Sequence, residues 1–219
     1  YRELPSDYLE KMKKLLKEEF EDYLTCFSEP PHYGLRVNRL KCMPEQFAAE
    51  CGWKLTQIPW AGDGFYYDRD LKPARHPWYF AGLYYLQEPS AMAPASLLPV
   101  EPGDKVLDLC AAPGGKSTEL AAKLQGEGLL FSNDISNSRA KALLKNLELA
   151  GAGNICVSSE TPEKLARYFE GFFDKILVDA PCSGEGMFRR DGDMVKSYSQ
   201  KGPEYYSRIQ YEIVSEAVK

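Results

Sequence analysis

The fold of this chain is decided by the stretch Val106-Leu-Asp-Leu-Cys-Ala-Ala-Pro-Gly-Gly-Lys116. A short apolar run from Lys105 to Leu109 breaks into a Pro-Gly-Gly turn, and residues 117–124 then follow a helical pattern. This order predicts a strand, a glycine loop and a helix, which places a helix N-terminus at the carboxyl end of the strand. Because glycine has no Cβ, a ligand can approach the loop closely.

The glycine loop by itself does not identify a ligand. It matches neither G-x-G-x-x-G nor G-x-x-x-x-G-K-[ST], so the dinucleotide and nucleoside-triphosphate fingerprints both fail. Glycines that serve only the packing of a strand-to-helix turn are an equally good interpretation of the loop alone. The residues that follow the loop are needed to distinguish a ligand-binding loop from a turn that serves only packing.

Acidic residues lie at the ends of the predicted strands. Asp108 ends the first strand, Asp134 the second and Asp179 the fourth. Asp134 follows Gly115 by nineteen residues, a spacing that suits an acid bound to ribose hydroxyls. The strands alternate with helices, which predicts an α/β fold with a parallel, doubly wound, Rossmann-like sheet and ligands at its carboxyl edge. The predicted strands and the helix between them are 129–134, 137–150 (helix), 155–157 and 174–179.

The composition predicts a cytoplasmic protein without a metal. The 219 residues include six cysteines without a C-x-x-C pair and only two histidines, so a zinc site is not expected. No apolar run is long enough for a membrane span, and the first residues lack the apolar core of a secretion signal. The net charge of −5 is untypical of a nucleic-acid-binding protein and predicts weak, salt-sensitive binding to RNA by this chain alone.

The first third of the chain predicts a small α+β domain, residues 1–75. Ser6 is expected to cap a helix whose apolar stripe extends from Leu9 to Phe27. A strand at 35–40, a helix at 44–51 and a hairpin closed by 61–64 follow, and 73–77 is the expected linker. Residues 76–219 form the second predicted domain. The sequence has three clusters of basic residues: 36, 39 and 41; 69, 72 and 75; and Arg189–Arg190. The first two are interpreted as solvated faces, and the pair Arg189–Arg190 is the one preferred as functional.

Several of these motifs together resemble the Nol1/Nop2/Sun family of RNA cytosine-5 methyltransferases. They are Asp108-Leu-Cys-Ala-Ala-Pro-Gly-Gly-Lys116, Asn133-Asp-Ile135 and Asp179-Ala-Pro-Cys-Ser-Gly-Glu-Gly186, with upstream segments 35–41 and 82–90. The similarity is greatest to the bacterial enzymes that methylate small-subunit ribosomal RNA. The resemblance implies a class I methyltransferase fold, S-adenosyl-L-methionine as cofactor, ribosomal RNA as partner and a role in rRNA processing. It also implies that residues 1–75 resemble an RNA-binding domain.

The segment Asp179-Ala-Pro-Cys182 favours methylation of a ring carbon. Carbon 5 of cytosine is a poor nucleophile until a thiolate adds to carbon 6, and a base must then remove the proton from carbon 5. Amino-methyltransferases need no thiol and typically place Asp/Asn-Pro-Pro-Tyr/Phe at this point, whereas this chain keeps the acid and has a thiol in place of the aromatic ring. The alternative is that Cys182 is an inert, buried packing residue.

The resemblance also assigns roles to individual positions. The loop would hold the methionine end of the cofactor, Asp134 its ribose and Glu160 would lie near its adenine. Asp179 would lie near the sulfonium and the target base, and Lys116 would help to orient that base. Cys182 matches the family's cysteine that assists release of the methylated RNA. The loop residues are Cys110, Ala111, Ala112, Pro113, Gly114, Gly115 and Lys116.

One element of the family pattern is missing from these residues. The family's nucleophile is a second cysteine in a Thr-Cys-Ser segment, which does not occur in this sequence. The sequence stops at Lys219 inside a predicted helix (204–218), so we expect an N-terminal fragment with an incomplete sheet that is inactive alone. Two alternatives stay open: Cys182 is itself the nucleophile, as in DNA cytosine-5 methyltransferases, or the chain is a non-catalytic module that binds RNA or cofactor.

Overall fold

The computed structural model describes residues 4–189 and 192–219, which form two compact units. The larger one, here called the sheet unit, comprises residues 32–180 and 213–219. The smaller one, the helical unit, comprises the described residues of 1–31 and 181–212. A division into domains at residue 75 stays a prediction.

The helices and strands alternate along the chain as follows. The helices are α1 (Ser6–Leu16), α2 (Phe20–Thr25), α3 (Pro44–Glu50), α4 (Pro77–Phe80), α5 (Pro89–Leu97), α6 (Gly115–Leu124), α7 (Asn137–Ala150), α8 (Pro162–Phe169) and α9 (Gly192–Ala217). The strands are β1 (Tyr33–Val37), β2 (Leu55–Ile58), β3 (Ala61–Tyr67), β4 (Tyr84–Leu86), β5 (Lys105–Asp108), β6 (Leu129–Asn133), β7 (Ile155–Ser158) and β8 (Lys175–Leu177). Short 3₁₀ helices lie at Lys17–Glu19, Pro73–Arg75 and Glu185–Met187.

The parallel sheet has the strand order β7-β6-β5-β8, and apolar side chains cover both of its faces. Val106 and Leu130 pack on one face with residues of α6 and α7. Leu107 and Phe131, the next residues along the same strands, pack on the other face with Leu165 of α8. Because side chains alternate between the faces of a strand, this two-sided burial requires continuous apolar strands. The doubly wound α/β fold predicted from the sequence is confirmed.

A second, antiparallel sheet within the sheet unit has the order β2-β3-β1-β4. Leu35, Val37 and Phe65 of this sheet form a buried cluster with Phe47 of α3 and Tyr84 of β4. The mixed α+β character expected for the early part of the chain is therefore present.

Some local predictions for this part were wrong. The β2–β3 connection is made by Pro59 and Trp60, and residues 61–64 are part of β3 rather than the turn. Ser6 is the first residue of α1 and makes no capping hydrogen bond, since Pro5 occupies the cap position. The predicted single helix to Phe27 is divided by the 3₁₀ turn at residues 17–19, where Lys17 has a φ of 51°. Residues 73–77 form a 3₁₀ turn followed by the start of α4, and their role as a linker stays a prediction.

One member of the basic cluster around β1 does not lie on a solvated face. Arg36 is only 3% exposed and its guanidinium forms hydrogen bonds inside the sheet unit. Lys41 donates to the carbonyl oxygens of Ala81 and Leu149, each at 2.7 Å, which ties the segment after β1 to the end of α7. Arg190, part of the preferred functional pair, lies outside the described residues.

The helical unit is built around a small aromatic cluster. The cluster consists of three buried residues: Tyr8 of α1, Tyr198 of α9 and Phe188, which precedes α9. The ring centroids of Tyr8 and Phe188 lie 5.0 Å apart in an edge-to-face arrangement. Helix α9 is kinked at Gly202, which has a φ of 66° and precedes Pro203, so its second half begins close to the predicted residue 204. Among the described residues, no helix is long and apolar enough to cross a membrane.

Candidate functional site

The glycine loop connects the end of β5 with the first turn of α6. The N–H of Ala111 donates to the Asn133 carbonyl oxygen at 2.8 Å, which joins the loop to β6. Gly114 has a φ of 108°, a conformation that favours glycine, and directly precedes α6. The first N–H groups of a helix have no acceptor within it, so this loop presents donors and a positive dipole end at the carboxyl edge of the sheet.

Asp108 lies fully buried at the foot of the loop. Its Oδ2 accepts a hydrogen bond from the Ser117 hydroxyl at 2.7 Å, whereas its Oδ1 has no partner among the described residues. Burial raises the pKa of Asp108 to about 7, although the Ser117 hydrogen bond and Lys116 oppose the shift. An unpartnered acceptor buried at a strand end is costly unless a ligand donor reaches it.

Asp134 follows β6 and is 2% exposed. Its Oδ1 accepts the Ser136 N–H at 3.0 Å, and its Oδ2 lies 3.3 Å from the Arg139 guanidinium. Arg139 also donates to the Ala112 carbonyl oxygen at 2.7 Å and so connects Asp134 with the glycine loop. The structure therefore places Asp134 beside the loop, as the strand order requires.

Asn133 organises this edge and was given no role in the sequence analysis. Its amide donates to the carbonyl oxygens of Leu109 and Glu160, and its Oδ1 accepts the Glu160 N–H at 2.9 Å and the Ser158 hydroxyl at 2.6 Å. One side chain thus joins the ends of β5, β6 and β7. The Glu160 carboxylate itself pairs with Lys164 at 2.7 Å and is partly exposed. The signal that could have identified Asn133 is a polar residue immediately before a strand-end acid.

Lys116 and Asp179 form an ion pair across the mouth of the loop. The Lys116 Nζ lies 2.6 Å from the Asp179 Oδ2, with side-chain exposures of 15% and 52%. The half-exposed carboxylate leaves this pair open to a ligand. Asp134 and Asp179 lie near enough to contribute to raising the pKa of Asp108, so the sheet edge collects all three predicted acids.

Cys110, within the same loop, is a protonated thiol at neutral pH. Its pKa is raised to about 11, chiefly by burial and then by the charges of Asp108, Asp134 and Asp179. Because the thiolate is the reactive form of cysteine, this environment favours a binding role for the loop and not a nucleophilic one for Cys110.

Cys182 belongs to the helical unit, and its side chain is exposed. The segment after it is held at several points: Glu185 pairs with Lys11 of α1 at 3.2 Å, and Arg189 donates to the Cys26 carbonyl oxygen at 3.0 Å. Phe188 is buried in the aromatic cluster. The interpretation of Cys182 as a buried packing residue is wrong.

A buried polar cluster supports the glycine loop from behind. The Arg36 guanidinium donates to the Gly115 carbonyl oxygen, to the Thr118 hydroxyl and to Gln87, and it pairs with Glu119 at 3.3 Å. The ion pair connects the antiparallel sheet with α6. Sequence reasoning missed this cluster because an arginine in a run of basic residues is normally exposed.

Two family models together match most of the chain. Residues 4–89 match the N-terminal domain of 16S rRNA methyltransferase RsmF, and residues 95–219 match 16S rRNA methyltransferase RsmB/F. The chain belongs to the RsmB/F family of 16S rRNA methyltransferases. This is an S-adenosyl-L-methionine-dependent family, so the family and the cofactor class that the sequence motifs implied are confirmed.

Similar curated proteins carry the same family name. The chain is 37% identical over 227 residues to ribosomal RNA small subunit methyltransferase F of Vibrio cholerae and 34% identical over 224 residues to that of Escherichia coli. These alignments cover 98% and 97% of this chain and 47% of each relative. The chain therefore spans about half the length of the relatives it matches.

Solved structures show the same fold. A methyltransferase homologue from Pyrococcus horikoshii is 28% identical with a TM-score of 0.79, over 95% of this chain and 67% of that one. NSun6 from Pyrococcus horikoshii, solved with SFG, has a TM-score of 0.83 over 97% of this chain and 79% of that one. At 21% identity, the second likeness concerns the fold alone.

Proposed function

We propose that this chain supplies the S-adenosyl-L-methionine site of an enzyme that methylates carbon 5 of cytosine in 16S ribosomal RNA. The observation that carries the proposal is the Lys116–Asp179 ion pair at the mouth of the glycine loop, directly before Ala180-Pro-Cys182. A ribosomal RNA substrate implies a cytoplasmic enzyme. That no metal takes part stays a prediction.

The residues at the sheet edge fit this cofactor. The methionine end of the cofactor carries an ammonium group and a carboxylate. The ammonium group can donate to the unpartnered Oδ1 of Asp108, and the carboxylate can accept from the N–H groups at the start of α6. The Asp134 carboxylate can accept hydrogen bonds from two ribose hydroxyls, with Arg139 and the Ser136 N–H holding its orientation. Glu160 follows β7, where an adenine would lie. When bound, the cofactor supplies an electrophilic methyl group.

The chain's own side chains would then act on the base. Asp179, half exposed and paired with Lys116, can accept a hydrogen bond from the cytosine amino group, and from ring nitrogen N3 once that nitrogen is protonated. Lys116 can donate to the base carbonyl oxygen from the same position. Cys182, an exposed thiol in the segment after Asp179, would assist removal of the proton from carbon 5, which allows the bond between carbon 6 and the nucleophile's sulfur to break and the methylated RNA to leave.

Calorimetric titration of the chain with S-adenosyl-L-methionine tests the cofactor site. Asp134→Ala should weaken binding by about 1.5–3 kcal/mol, the range for hydrogen bonds to a charged group. Asp70→Ala, which removes an exposed aspartate elsewhere in the sheet unit, is the matched control and should bind normally. Equal affinities in all three proteins would exclude Asp134 from the site.

The target atom is tested by methyl transfer to 16S rRNA from labelled cofactor, followed by nucleoside mass spectrometry. We expect 5-methylcytidine from an enzyme of the relatives' length and none from residues 1–219, because these residues contain no Thr-Cys-Ser segment. Transfer by residues 1–219 that is lost in Cys182→Ala would instead make Cys182 the nucleophile. Cofactor binding without transfer by the longer protein would favour a non-catalytic module.

A further inference from the structure

A second cleft of the sheet unit lies apart from the glycine loop. It has a volume of about 140 Å³ and its lining includes Arg39, Trp60, Asp63, Glu119 and Lys123. Arg39 follows β1, Trp60 and Asp63 belong to the β2–β3 region, and Glu119 and Lys123 lie one turn apart on the same face of α6. The lining includes none of the site residues predicted from the sequence.

Two of the charged side chains in this cleft already have partners in the fold. Glu119 pairs with Arg36 and accepts the Ser96 hydroxyl at 2.6 Å. Lys123 donates to the carbonyl oxygens of Ala95, Ser96 and Leu98, at 2.7 to 2.8 Å, and so caps the end of α5. Their presence in the wall is explained by structure alone.

Asp63 is not explained in this way. Its residue is 7% exposed, and among the described side chains none forms an ion pair or a hydrogen bond with its carboxylate. Burial raises its pKa, while Arg36, Arg39 and Lys123 act on it only through their charge and its own backbone N–H is its hydrogen-bond donor. Since Asp63 lines the cleft and no described side chain takes up its acceptor positions, its carboxylate can accept hydrogen bonds from a ligand there.

The other groups at the cleft are an aromatic ring and a cation. Trp60 is 39% exposed, and its indole N–H donates to the Pro89 carbonyl oxygen at 2.8 Å, which fixes the orientation of the ring. Arg39 has an exposed side chain. Gly62 adds no side chain, and a Cβ there would meet nothing within 4 Å, so the strand leaves the cleft open. A fixed ring, a buried acceptor and a cation are the elements that bind an unstacked nucleotide.

We propose that this cleft binds a guanine nucleotide of single-stranded RNA. The base would stack on Trp60, its N1–H and N2–H would donate in parallel to the Asp63 carboxylate, and its phosphate would pair with Arg39. Guanine is favoured over adenine and cytosine because only its edge offers two adjacent donors to one carboxylate. The inference rests on the proposed function only for the RNA, since recognition of the base requires neither cofactor nor methyl transfer.

Nuclear magnetic resonance of the chain tests the site through its tryptophans. Titration with guanosine monophosphate should shift the Trp60 indole N–H resonance, assigned by its loss in Trp60→Phe, while Trp53 and Trp78 serve as internal controls. Inosine monophosphate lacks the N2 donor and should bind about tenfold more weakly or worse. Absence of a Trp60 shift, or equal affinity for the two nucleotides, would overturn the proposal.

Variants separate the contributions of the acid and the cation. Asp63→Asn should abolish the preference for guanosine over inosine monophosphate, whereas Asp70→Asn should keep it; a preference retained in Asp63→Asn would refute the assignment. If Asp63→Asn fails to fold, Arg39→Ala provides the test. Arg39→Ala should lower the affinity for guanosine monophosphate and leave the affinity for guanosine unchanged. Equal weakening of both would overturn the phosphate contact.

Short single-stranded RNAs that differ in one base distinguish the source of the nucleotide. An RNA with one guanine should shift the Trp60 resonance at lower concentration than the same RNA with inosine. If free guanosine monophosphate binds but the RNA does not, the RNA part of the proposal is wrong. Because neither experiment contains S-adenosyl-L-methionine, failure of methyl transfer leaves both results interpretable.

Discussion

Removal of Arg36 should destabilise the chain strongly, because it leaves Glu119 as a buried charge without its cation. Both side chains are almost fully buried, at 3% and 4% exposure, and lie 3.3 Å apart. Loss of one partner of such a pair costs about 3–5 kcal/mol. Arg36→Met also removes the donors to the Gly115 carbonyl oxygen and to the Thr118 hydroxyl. The loss is a large part of the 5–15 kcal/mol that is typical of a whole domain.

The mechanism can be separated from simple loss of packing by a second substitution. In Arg36→Met with Glu119→Leu neither charge of this ion pair remains, so most of the loss should be recovered, as replacement of buried ion pairs by apolar residues often allows. Urea unfolding monitored by circular dichroism measures the four free energies of the cycle. Lys164→Met removes an exposed ion pair and serves as the control that should change stability little.

The pH dependence gives a further test of the same argument. Burial already raises the pKa of Glu119, and Arg36 opposes that shift. Without Arg36 the native state should hold a proton on Glu119 more tightly than the unfolded state does, so the deficit of Arg36→Met should shrink as the pH is lowered. A deficit below about 1 kcal/mol at neutral pH, or additive losses in the double variant, would refute the reasoning.

Two other predictions concern the site's own residues. The pKa of Asp108 is about 7 in the fold against 3.8 for a free side chain, so the free energy of unfolding should fall by up to about 4 kcal/mol as the pH rises between these values. Urea unfolding should show a smaller fall in Asp108→Asn. Identical pH dependence in the two proteins would contradict the assignment. Lys11→Met breaks the 3.2 Å ion pair with Glu185. The free energy of unfolding should fall by less than about 1 kcal/mol, because both groups are partly exposed. Backbone hydrogen exchange in residues 183–188 should nevertheless become faster. Unchanged exchange would mean that Phe188 alone holds this segment.

The parallel sheet could be predicted from the sequence because its evidence is local. Strands β5, β6 and β7 are short apolar runs that end in a polar residue, and β8 ends two residues before Asp179. Helix α7 was predicted with the bounds that it has, Asn137–Ala150. The strand-end acids followed from the same pattern, since carboxyl ends of parallel strands share one edge. Strand alternation therefore predicts both the sheet and the position of its site.

What could not be predicted depends on contacts between distant residues. Arg36 and Glu119 are separated by more than 80 positions, so the sequence does not show that their charges are paired and buried together. The grouping of α1 with the segment after Cys182 is equally non-local: Tyr8 packs on Phe188, and Lys11 pairs with Glu185. A stripe of apolar residues shows that a helix packs, but not against what.

The buried carboxyl groups of the sheet unit share one physical feature that connects stability with binding. Asp63 and Asp108 each cost free energy to bury, and burial raises the pKa of each. A fold under selection for stability alone would replace them with apolar residues of similar size. Asp108 retains an acceptor without a partner at the glycine loop, and Asp63 faces the second cleft. Because a ligand donor would offset the cost of burial only when it is bound, we expect each group to make the folded chain more stable in the proposed complex than alone.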